Sequence, residues 1–368
     1  MNISKQLQFF FKIFFQYIFF LIYGRVIYKK NKKIEENTKI IKIDSKKYYV
    51  AKVKNGRVYT DYLENVSIID NKNLLVNHVS HQQIDGAMFP SKLNSALVKG
   101  TPRLKKKFKG SVLCMIQGIS AETNYFHWMF DILPRIKLIE KIKNFKSIDY
   151  FYFPELKKWQ RDTLSVFKIT KNKFINSKKY RHIEADLVFA TAHPWYTKGH
   201  MVSEAKNLPA WTINWVSKTF LRYKKKFHCR KKIFIDRSES MYKHCRIINN
   251  NEVKNNLVKM GFSIHETGKM SFFEQIYLFN NAKVIVGAHG AAFTNLVFCK
   301  PKTKIIEIIP KSHSNTVNKK ICRVRNLNYF RFTTRDLHGY NPKKIKWSNE
   351  KITGDIVVNI VALNKKLK

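Results

Sequence analysis

The second half of the chain alternates short apolar runs with amphipathic segments, and this alternation limits the fold more than any other feature. Apolar runs rich in Ile, Val and Phe occur at 232–236, 262–265, 283–286 and 303–309. Helical patterns separate them at 250–260 and 271–281, and the second opens with the capping box Ser271-Phe-Phe-Glu274. Strands that alternate with helices pair in parallel through right-handed crossovers. The sequence therefore predicts a doubly wound α/β domain.

The first half repeats this α/β pattern less regularly. Strand patterns occur at 111–116, 148–153 and 185–190, with helical patterns at 123–141 and 154–167 and a linker around 193–209. We expect two α/β domains between an amino-terminal segment and a tail. The predicted boundaries are 1–33 for a membrane-associating helix with its basic flank, 34–205 and 206–335 for the two domains, and 336–368 for the tail.

Residues 7–23, LQFFFKIFFQYIFFLIY, form an apolar run of the minimum length that spans a bilayer. Gln8, Lys12 and Gln16 fall four residues apart and would form one polar stripe on a helix. This stripe favours an amphipathic helix that lies in the membrane interface, although a short spanning helix stays open. The basic residues that follow predict that this side faces the cytoplasm: Arg25, Lys29, Lys30, Lys32 and Lys33. We expect a protein on the cytoplasmic face of an anionic membrane.

The chain is strongly basic, with 70 Lys and Arg against 25 Asp and Glu in 368 residues and a net charge of +45. Such a balance is typical of nucleic-acid-binding proteins. The lysines are spread along the whole chain, however, and no recognisable RNA- or DNA-binding signature occurs, so we expect no nucleic-acid partner. The five cysteines are widely spaced without a C-x-x-C pair, which argues against a disulfide framework or a zinc site and for a reducing compartment.

The segment VGAHGAAFTNLVF, residues 286–298, contains a glycine-flanked turn at the carboxyl end of the third strand pattern. Gly287 and Gly290 allow a ligand to approach the backbone, and a helix that begins at Ala291 presents free N–H groups. His289 can donate a hydrogen bond to a phosphate or a sugar hydroxyl. The segment suits a phosphate-binding site, with an ordinary tight turn as the alternative.

Two arginines and a glutamate accompany this turn. Arg237 directly follows the first strand pattern, where a bidentate guanidinium can neutralise a diphosphate, and Arg246 follows in the same loop. Glu307 stands between isoleucines in the fourth strand pattern, and a carboxylate there can accept hydrogen bonds from a ribose diol. A solvent-facing glutamate at a sheet edge is the alternative.

The first half contributes His127 and Asp131, which lie four residues apart and therefore on one helix face. They can act as base and orienter, or Asp131 alone can take a proton from a hydroxyl. An ordinary polar pair at a surface is the alternative. No arrangement of a Ser or Cys nucleophile is legible, and no metal site is expected.

Three segments resemble glycosyltransferase family 61, whose members act in capsular polysaccharide and lipopolysaccharide biosynthesis and in plant and animal glycosylation. They are NYFHWMFDILPRI at 124–136, IFIDR at 233–237 and the long segment 261–310. Their order and spacing agree with the family over about residues 110–310. The first hundred residues and the tail lie outside the resemblance.

The resemblance implies a GT-B fold, in which two Rossmann-like, doubly wound domains face a cleft and the carboxyl-terminal one holds the donor. It implies an inverting, metal-independent glycosyltransferase without a cofactor, which transfers a hexosyl, pentosyl or N-acetylhexosaminyl group. The donor would be a nucleotide-sugar, foremost a UDP-sugar. The acceptor would be a hydroxyl of a glycan or lipid-linked glycan in a growing capsule or lipopolysaccharide.

The same resemblance assigns roles to residues. The turn 287–290 with Ala291 and Asn295 matches the donor-binding motif, Arg237 the diphosphate contact and Glu307 a ribose contact. His127 and Asp131 match the motif that faces the acceptor, and either of them can be the base. The chain departs from the family at Ala292-Phe293, where Gly-Leu is more usual. A non-catalytic nucleotide- or glycan-binding protein on the same fold is the main alternative, and the tail is expected to return to the first domain.

Overall fold

A computed structural model of the protein describes residues 3–30, 37–61, 65–84, 86–117, 123–240, 244–334, 337 and 354–368. The described residues form two compact units, Met1–Thr212 and Ile213–Lys368. The described residues do not include Lys32 and Lys33 of the predicted basic flank. They also do not include residues 338–353 of the predicted tail. The protein is mixed α/β, as predicted, whereas its division into the four predicted domains and its membership of the GT-B class stay predictions.

The first unit is built on a mixed sheet. Its strands are β1 Thr38–Ile43, β2 Lys46–Tyr59, β3 Asn65–Ile69, β4 His81–Ile84, β5 Ala87–Phe89, β6 Lys105–Cys114, β7 Tyr150–Phe153, β8 Phe174–Asn176, β9 His182–Thr191 and β10 Gly199–His200. The order is β10-β5-β4-β3-β2-β9-β6-β7-β8, and β1 pairs with β2. Strands β9, β6, β7 and β8 pair in parallel, and the other pairs are antiparallel. The first unit is therefore not the doubly wound domain that the sequence predicted.

Short helices accompany this sheet. They are α2 Ala96–Lys99, α3 Tyr125–His127, α4 Pro134–Ile139, α5 Lys158–Ser165 and α6 Met201–Glu204, with a π-helix at Trp128–Ile132 and 3₁₀ helices at Ser91–Leu93, Phe145–Ser147, Lys171–Lys173 and Ala205–Asn207. Alternate residues of β2, β6 and β9, including Val53, Val112 and Val188, point into one apolar core. The predicted linker at 193–209 is instead part of this unit, because Trp195, Tyr196 and Leu208 are buried in it.

The second unit is a five-stranded parallel sheet. Its strands are β11 Lys232–Ile235, β12 Ser263–His265, β13 Val284–Ala288, β14 Lys304–Pro310 and β15 Asn328–Thr334, in the order β12-β11-β13-β14-β15. All four neighbouring pairs are parallel. The first four strands match the sequence prediction closely. The fifth was not predicted, because it carries the polar, partly exposed sequence NYFRFTT along the sheet edge.

Helices connect these strands or lie before and after them. They are α8 Asn250–Lys259, α9 Phe272–Asn281, α10 Val317–Val324 and α11 Ile360–Leu367, with 3₁₀ helices at Leu221–Tyr223, Thr267–Lys269 and Ala291–Phe298; α7 Ala210–Phe220 contains the boundary between the units. The capping box of Ser271 and Glu274 is formed as predicted.

The described part of the tail packs on the second unit. Ile356 pairs with Ile247 in a parallel bridge, and Ile356, Val358 and Leu363 join a core that includes Leu257 of α8. These contacts differ from the expectation that the tail returns to the first domain. Burial of the apolar face of α11 against α8 explains them.

The amino-terminal helix, α1 Ile3–Tyr23, packs on the first unit through its last turns. Tyr23 lies edge-on to His182 with ring centroids 4.9 Å apart. Most of the helix before this point exposes large apolar side chains, among them Phe10, Phe14 and Leu21. None of the described helices combines the length and the hydropathy that a membrane crossing requires.

Candidate active site

In the first unit, the predicted site residues lie at the carboxyl edge of two neighbouring parallel strands, β6 and β9. The chain leaving β6 leads to α3 and the π-helix, which carry His127 and Asp131. The chain leaving β9 leads to His193 and Trp195. Because parallel strands end at the same edge, residues far apart in sequence meet there.

A π-helix sets the geometry of the His127–Asp131 pair. Asn124 caps α3 by accepting hydrogen bonds from the backbone N–H groups of Phe126, at 2.9 Å, and His127, at 3.4 Å. The N–H of Leu133 then reaches back five residues to the carbonyl of Trp128 at 3.1 Å. The continuous α-helix predicted for 123–141 is therefore interrupted. Single π-turns of this kind occur frequently at functional sites.

Asp131 is completely buried and accepts hydrogen bonds from protein groups on both carboxylate oxygens. His127 Nδ1 lies 2.7 Å from Oδ2, and Trp195 Nε1 donates to Oδ1 at 2.7 Å. His193 Nε2 lies 3.4 Å from Oδ2. Burial alone would raise the pKa of Asp131, but the two histidines and their hydrogen bonds lower it well below its usual value. Asp131 is therefore a buried carboxylate whose acceptor capacity is used within the protein.

These contacts fix the tautomers of both histidines. The backbone N–H groups of Trp195 and Tyr196 each lie 3.3 Å from His193 Nδ1, so this nitrogen is the acceptor and Nε2 carries the proton. His127 donates from Nδ1 to Asp131, which leaves the lone pair on Nε2 when the ring is neutral. His127 Nε2 makes no hydrogen bond to the described residues. Of the pair, His127 has the geometry of a base and Asp131 that of its orienter.

A buried arginine balances the charge of Asp131. Arg135 Nε donates to the backbone carbonyl of Asp131 at 2.9 Å, and its guanidinium donates to the side-chain oxygen of Gln117. Burial lowers the pKa of Arg135. The pKa of His81 lies well below its usual value, first because the ring is buried and second because the charge of Arg135 is nearby. The neighbourhood of Asp131 is thus a packed polar cluster with one formal anion and one formal cation.

In the second unit, Arg237 and Gly290 are in direct contact. Arg237 lies two residues after the end of β11, and its guanidinium donates to the carbonyl of His244 at 3.1 Å and to the carbonyl of His289. A Cβ atom on Gly290 would lie 2.6 Å from Arg237 Cζ. The absence of a side chain at Gly290 therefore makes room for the guanidinium, in addition to any role in admitting a ligand.

His289 is held by Glu307, which is itself bonded on both oxygens. His289 Nδ1 lies 2.5 Å from Glu307 Oε1, Asn318 donates to the same oxygen at 2.6 Å, and the Tyr329 hydroxyl donates to Oε2 at 2.5 Å. Burial acts to raise the pKa of Glu307, but the charge of His289 and these three hydrogen bonds lower it below its usual value. Glu307 thus accepts three hydrogen bonds within the protein, and the ribose contact stays a prediction.

The edge of His289 that carries Nε2 remains available. Its side chain keeps 11% of its surface exposed, and Nε2 makes no hydrogen bond to the described residues. The His313 ring packs against it with centroids 4.3 Å apart. Burial, followed by the charges of His289 and His244, lowers the pKa of His313 to about 2, so this neighbour is uncharged at neutral pH.

A small cavity of about 100 Å³ adjoins Arg237. Its lining includes the Arg237 and Arg246 loop, His244 and Ala288. Arg246 forms an ion pair with Asp355 at 3.0 Å. Both predicted donor arginines therefore line the same small cavity.

The other predicted donor residues have structural contacts. A Cβ atom on Gly287 would lie 3.1 Å from the Ile235 carbonyl, so Gly287 allows close packing within the sheet. Ala291 begins a helix, as predicted, but the helix is of the 3₁₀ type. Asn295 is fully buried and donates to Gln275 at 2.9 Å.

The comparison with protein families decides the class of this protein. The family model described as Glycosyltransferase 61 matches residues 125–306. Residues 125–306 belong to glycosyltransferase family 61. A search of curated proteins found no match. Membership of family 61 implies glycosyltransferase activity, with a nucleotide-sugar donor and a glycan acceptor.

The segment that matches family 61 includes His127 and Asp131 of the first unit and Arg237 and His289 of the second. It ends one residue before Glu307. Among the described residues, no group of three or more His, Cys, Asp or Glu side chains has the arrangement of a metal site.

Sequence reasoning missed several residues around the two predicted sites, among them His193, Trp195, Asn318 and Tyr329. A signal existed for the first two, because they follow a strand that the sequence did predict and therefore lie at its carboxyl end. No such signal marked Tyr329, since its strand was itself not predicted.

Proposed function

We propose that this protein is an inverting, metal-independent glycosyltransferase that transfers a sugar from a UDP-sugar to a hydroxyl of a growing capsule or lipopolysaccharide glycan. The match to family 61 supports glycosyl transfer. The observation that carries the mechanism is the pair of buried histidine–carboxylate contacts, one in each unit: His127 with Asp131, and His289 with Glu307.

His127 is the base in this proposal. Its Nε2 takes the proton of the acceptor hydroxyl while the acceptor oxygen forms its bond to the anomeric carbon. Asp131 holds the ring through Nδ1 and stabilises the imidazolium that forms, which is the role of an orienting carboxylate. Direct proton transfer to Asp131 is disfavoured, because the carboxylate is buried and already bonded to His127 and Trp195.

The second unit stabilises the leaving group. As the bond from the anomeric carbon to the phosphate oxygen breaks, its electron pair stays on the diphosphate. The positive charge of Arg237 then stabilises the departing anion, and the imidazolium form of His289, with Nδ1–H on Glu307, donates a hydrogen bond to it from Nε2. In this scheme Glu307 acts through His289 by fixing the orientation of the ring, in place of the ribose contact first expected.

We also propose that the protein works on the cytoplasmic face of an anionic membrane. The exposed apolar side chains of α1 and the basic residues that follow it, Arg25, Lys29 and Lys30, support this location. An interfacial helix of this composition gains both from apolar burial and from attraction to anionic lipids. A lipid-linked glycan is then the natural acceptor.

The proposal is tested with purified full-length protein and a panel of UDP-, GDP- and CMP-sugars. We expect one nucleotide to protect against thermal unfolding, by roughly 2.7 kcal/mol at a hundredfold excess over its Kd. Sugar release or transfer from that donor should continue in excess EDTA and fall at least 100-fold in His127→Gln.

Three outcomes would contradict parts of this proposal. Activity that disappears in EDTA and returns with Mg²⁺ would refute metal independence. Tight donor binding without turnover, across a panel of glycan acceptors, would favour a non-catalytic binding protein. Salt-sensitive DNA binding without any donor binding would favour the nucleic-acid alternative.

A further inference from the structure

A second segment of the first unit has the composition of a membrane-contact surface. Between residues 91 and 109 there are seven basic residues and no acidic one: Lys92, Lys99, Arg103, Lys105, Lys106, Lys107 and Lys109. The chain-wide charge of +45 over 368 residues corresponds to only about two net charges in a segment of this length. Lys105 and Lys107 pair with Glu184 of β9, and the segment remains more basic than the chain average when this one carboxylate is counted against its seven basic residues.

This segment runs alongside the last two turns of α1. Gln16 donates from Nε2 to the carbonyl of Val98 at 3.0 Å. A Cβ atom on Gly100 would lie 2.5 Å from the Phe20 ring, and the Tyr23 hydroxyl accepts from the N–H of Lys105 at 3.0 Å. Three contacts spaced along both elements hold the helix against the body of the first unit.

Two large apolar side chains of this segment are among the most exposed in the protein. Val98 is 76% exposed and Leu104 is 81% exposed, and the adjacent turns of α1 expose Tyr17, Leu21 and Ile22. Several exposed apolar side chains on two elements in contact, together with the basic residues of the segment, are typical of an interaction site. The combination of apolar and basic side chains is complementary to a lipid bilayer with an apolar interior and negatively charged headgroups.

We infer that residues 98–107 and α1 together form one docking face for a bilayer that contains anionic lipids. This inference rests on the proposed membrane association and extends it from a single helix to the body of the enzyme. Since the helix is fixed to the segment at three points, binding holds the first unit in one orientation. A helix attached only by its end would leave the body free to tumble.

The test is binding of the full-length protein to vesicles of phosphatidylcholine alone or with 30% phosphatidylglycerol, followed by flotation. We expect binding only to the anionic vesicles. The double variant Val98→Asp/Leu104→Asp should weaken it at least tenfold, because two apolar side chains no longer enter the interface. Val361→Asp is the matched control, since this valine of the second unit is 67% exposed and lies outside the proposed face. Amide exchange of residues 98–107 should slow when anionic vesicles are added.

The outcomes separate this inference from the proposals on which it rests. Wild-type binding that the double variant retains, with no exchange protection at 98–107, would overturn the docking face and leave α1 as the anchor. No binding of the wild type to anionic vesicles would overturn both membrane proposals but not donor turnover in detergent. Lipid-free dimerisation that the double variant abolishes would also overturn the inference, by assigning the face to a second copy of the chain. Unchanged donor turnover in detergent shows that the variant is folded.

Discussion

Replacement of Gly290 by alanine tests whether the Arg237 guanidinium holds the donor diphosphate. The new Cβ atom would lie 2.6 Å from Arg237 Cζ, 2.7 Å from Nε and 2.9 Å from Nη1. Favourable contacts need about 3.5–4.0 Å, so the guanidinium must move by roughly 1 Å. The backbone tolerates alanine, because Gly290 has φ 169°, an extended conformation open to any residue. The perturbation therefore acts on the arginine and not on the chain path.

The magnitude follows from the hydrogen bonds that the guanidinium makes. A displaced Arg237 loses its hydrogen bonds to the carbonyls of His289 and His244. Its guanidinium is then no longer oriented toward the proposed position of the diphosphate. A hydrogen bond to a charged group contributes about 1.5–3 kcal/mol, so one lost contact to the diphosphate weakens UDP binding by roughly 10- to 150-fold. Calorimetric titration with UDP measures this change directly, and thermal unfolding shows whether the variant is folded.

A double-mutant cycle isolates the cause. Arg237→Ala removes the atoms with which the alanine collides, so adding Gly290→Ala to it should cost nothing further. Gly268→Ala is the matched control, because no atom lies within 4 Å of a Cβ built there. An unchanged UDP affinity in Gly290→Ala would refute the role of Arg237. A further loss in the Arg237→Ala background would show that Gly290 contacts the nucleotide itself.

Three further predictions follow from the buried clusters. Asp131→Asn should lower kcat by 10²- to 10⁴-fold without changing UDP affinity, because it disturbs only the orientation and charge of the base His127; weaker donor binding as the main defect, measured by titration, would contradict this. Glu307→Gln should weaken UDP binding about tenfold through loss of the charge that holds His289, whereas loss of kcat alone would argue against that role. Because burial lowers the pKa of His81 and His193, the folded protein binds fewer protons than the unfolded chain once the pH falls below about 6.5. Urea titrations should therefore show stability falling as the pH is lowered from about 6.5; a stability that does not change there would contradict the burial of these rings.

The sequence predicted the parallel sheet of the second unit well, because the patterns that mark its strands and helices lie within short segments of the chain. Four strands read as apolar runs, and two of the crossovers read as amphipathic helices, one of them with the cap Ser271. The same reasoning placed Arg237 and His289 at strand ends. It did not show that Arg237 packs on Gly290 or that Glu307 bonds Tyr329, since these contacts depend on the register between neighbouring strands.

The first unit was predicted less well because its pairings are non-local. Strand β2 pairs with β9, and residue 51 lies opposite residue 190, a separation that no local pattern encodes. The contact between Asp131 and Trp195 spans 64 residues for the same reason. The pair of His127 and Asp131 could be predicted from the sequence only because the two residues are four positions apart and therefore lie on one helix face.

The ion pair between Arg246 and Asp355, with the adjacent bridge from Ile247 to Ile356, has a consequence for biosynthesis. Arg246 and Ile247 line the cavity beside Arg237, yet their partners are synthesised more than a hundred residues later. A nascent chain on the ribosome cannot complete that wall until Ile356 has emerged. Competence to take up a nucleotide should therefore arise only after residue 356 has been synthesised, and truncation before Asp355 should abolish it even though the five described strands of the sheet are present.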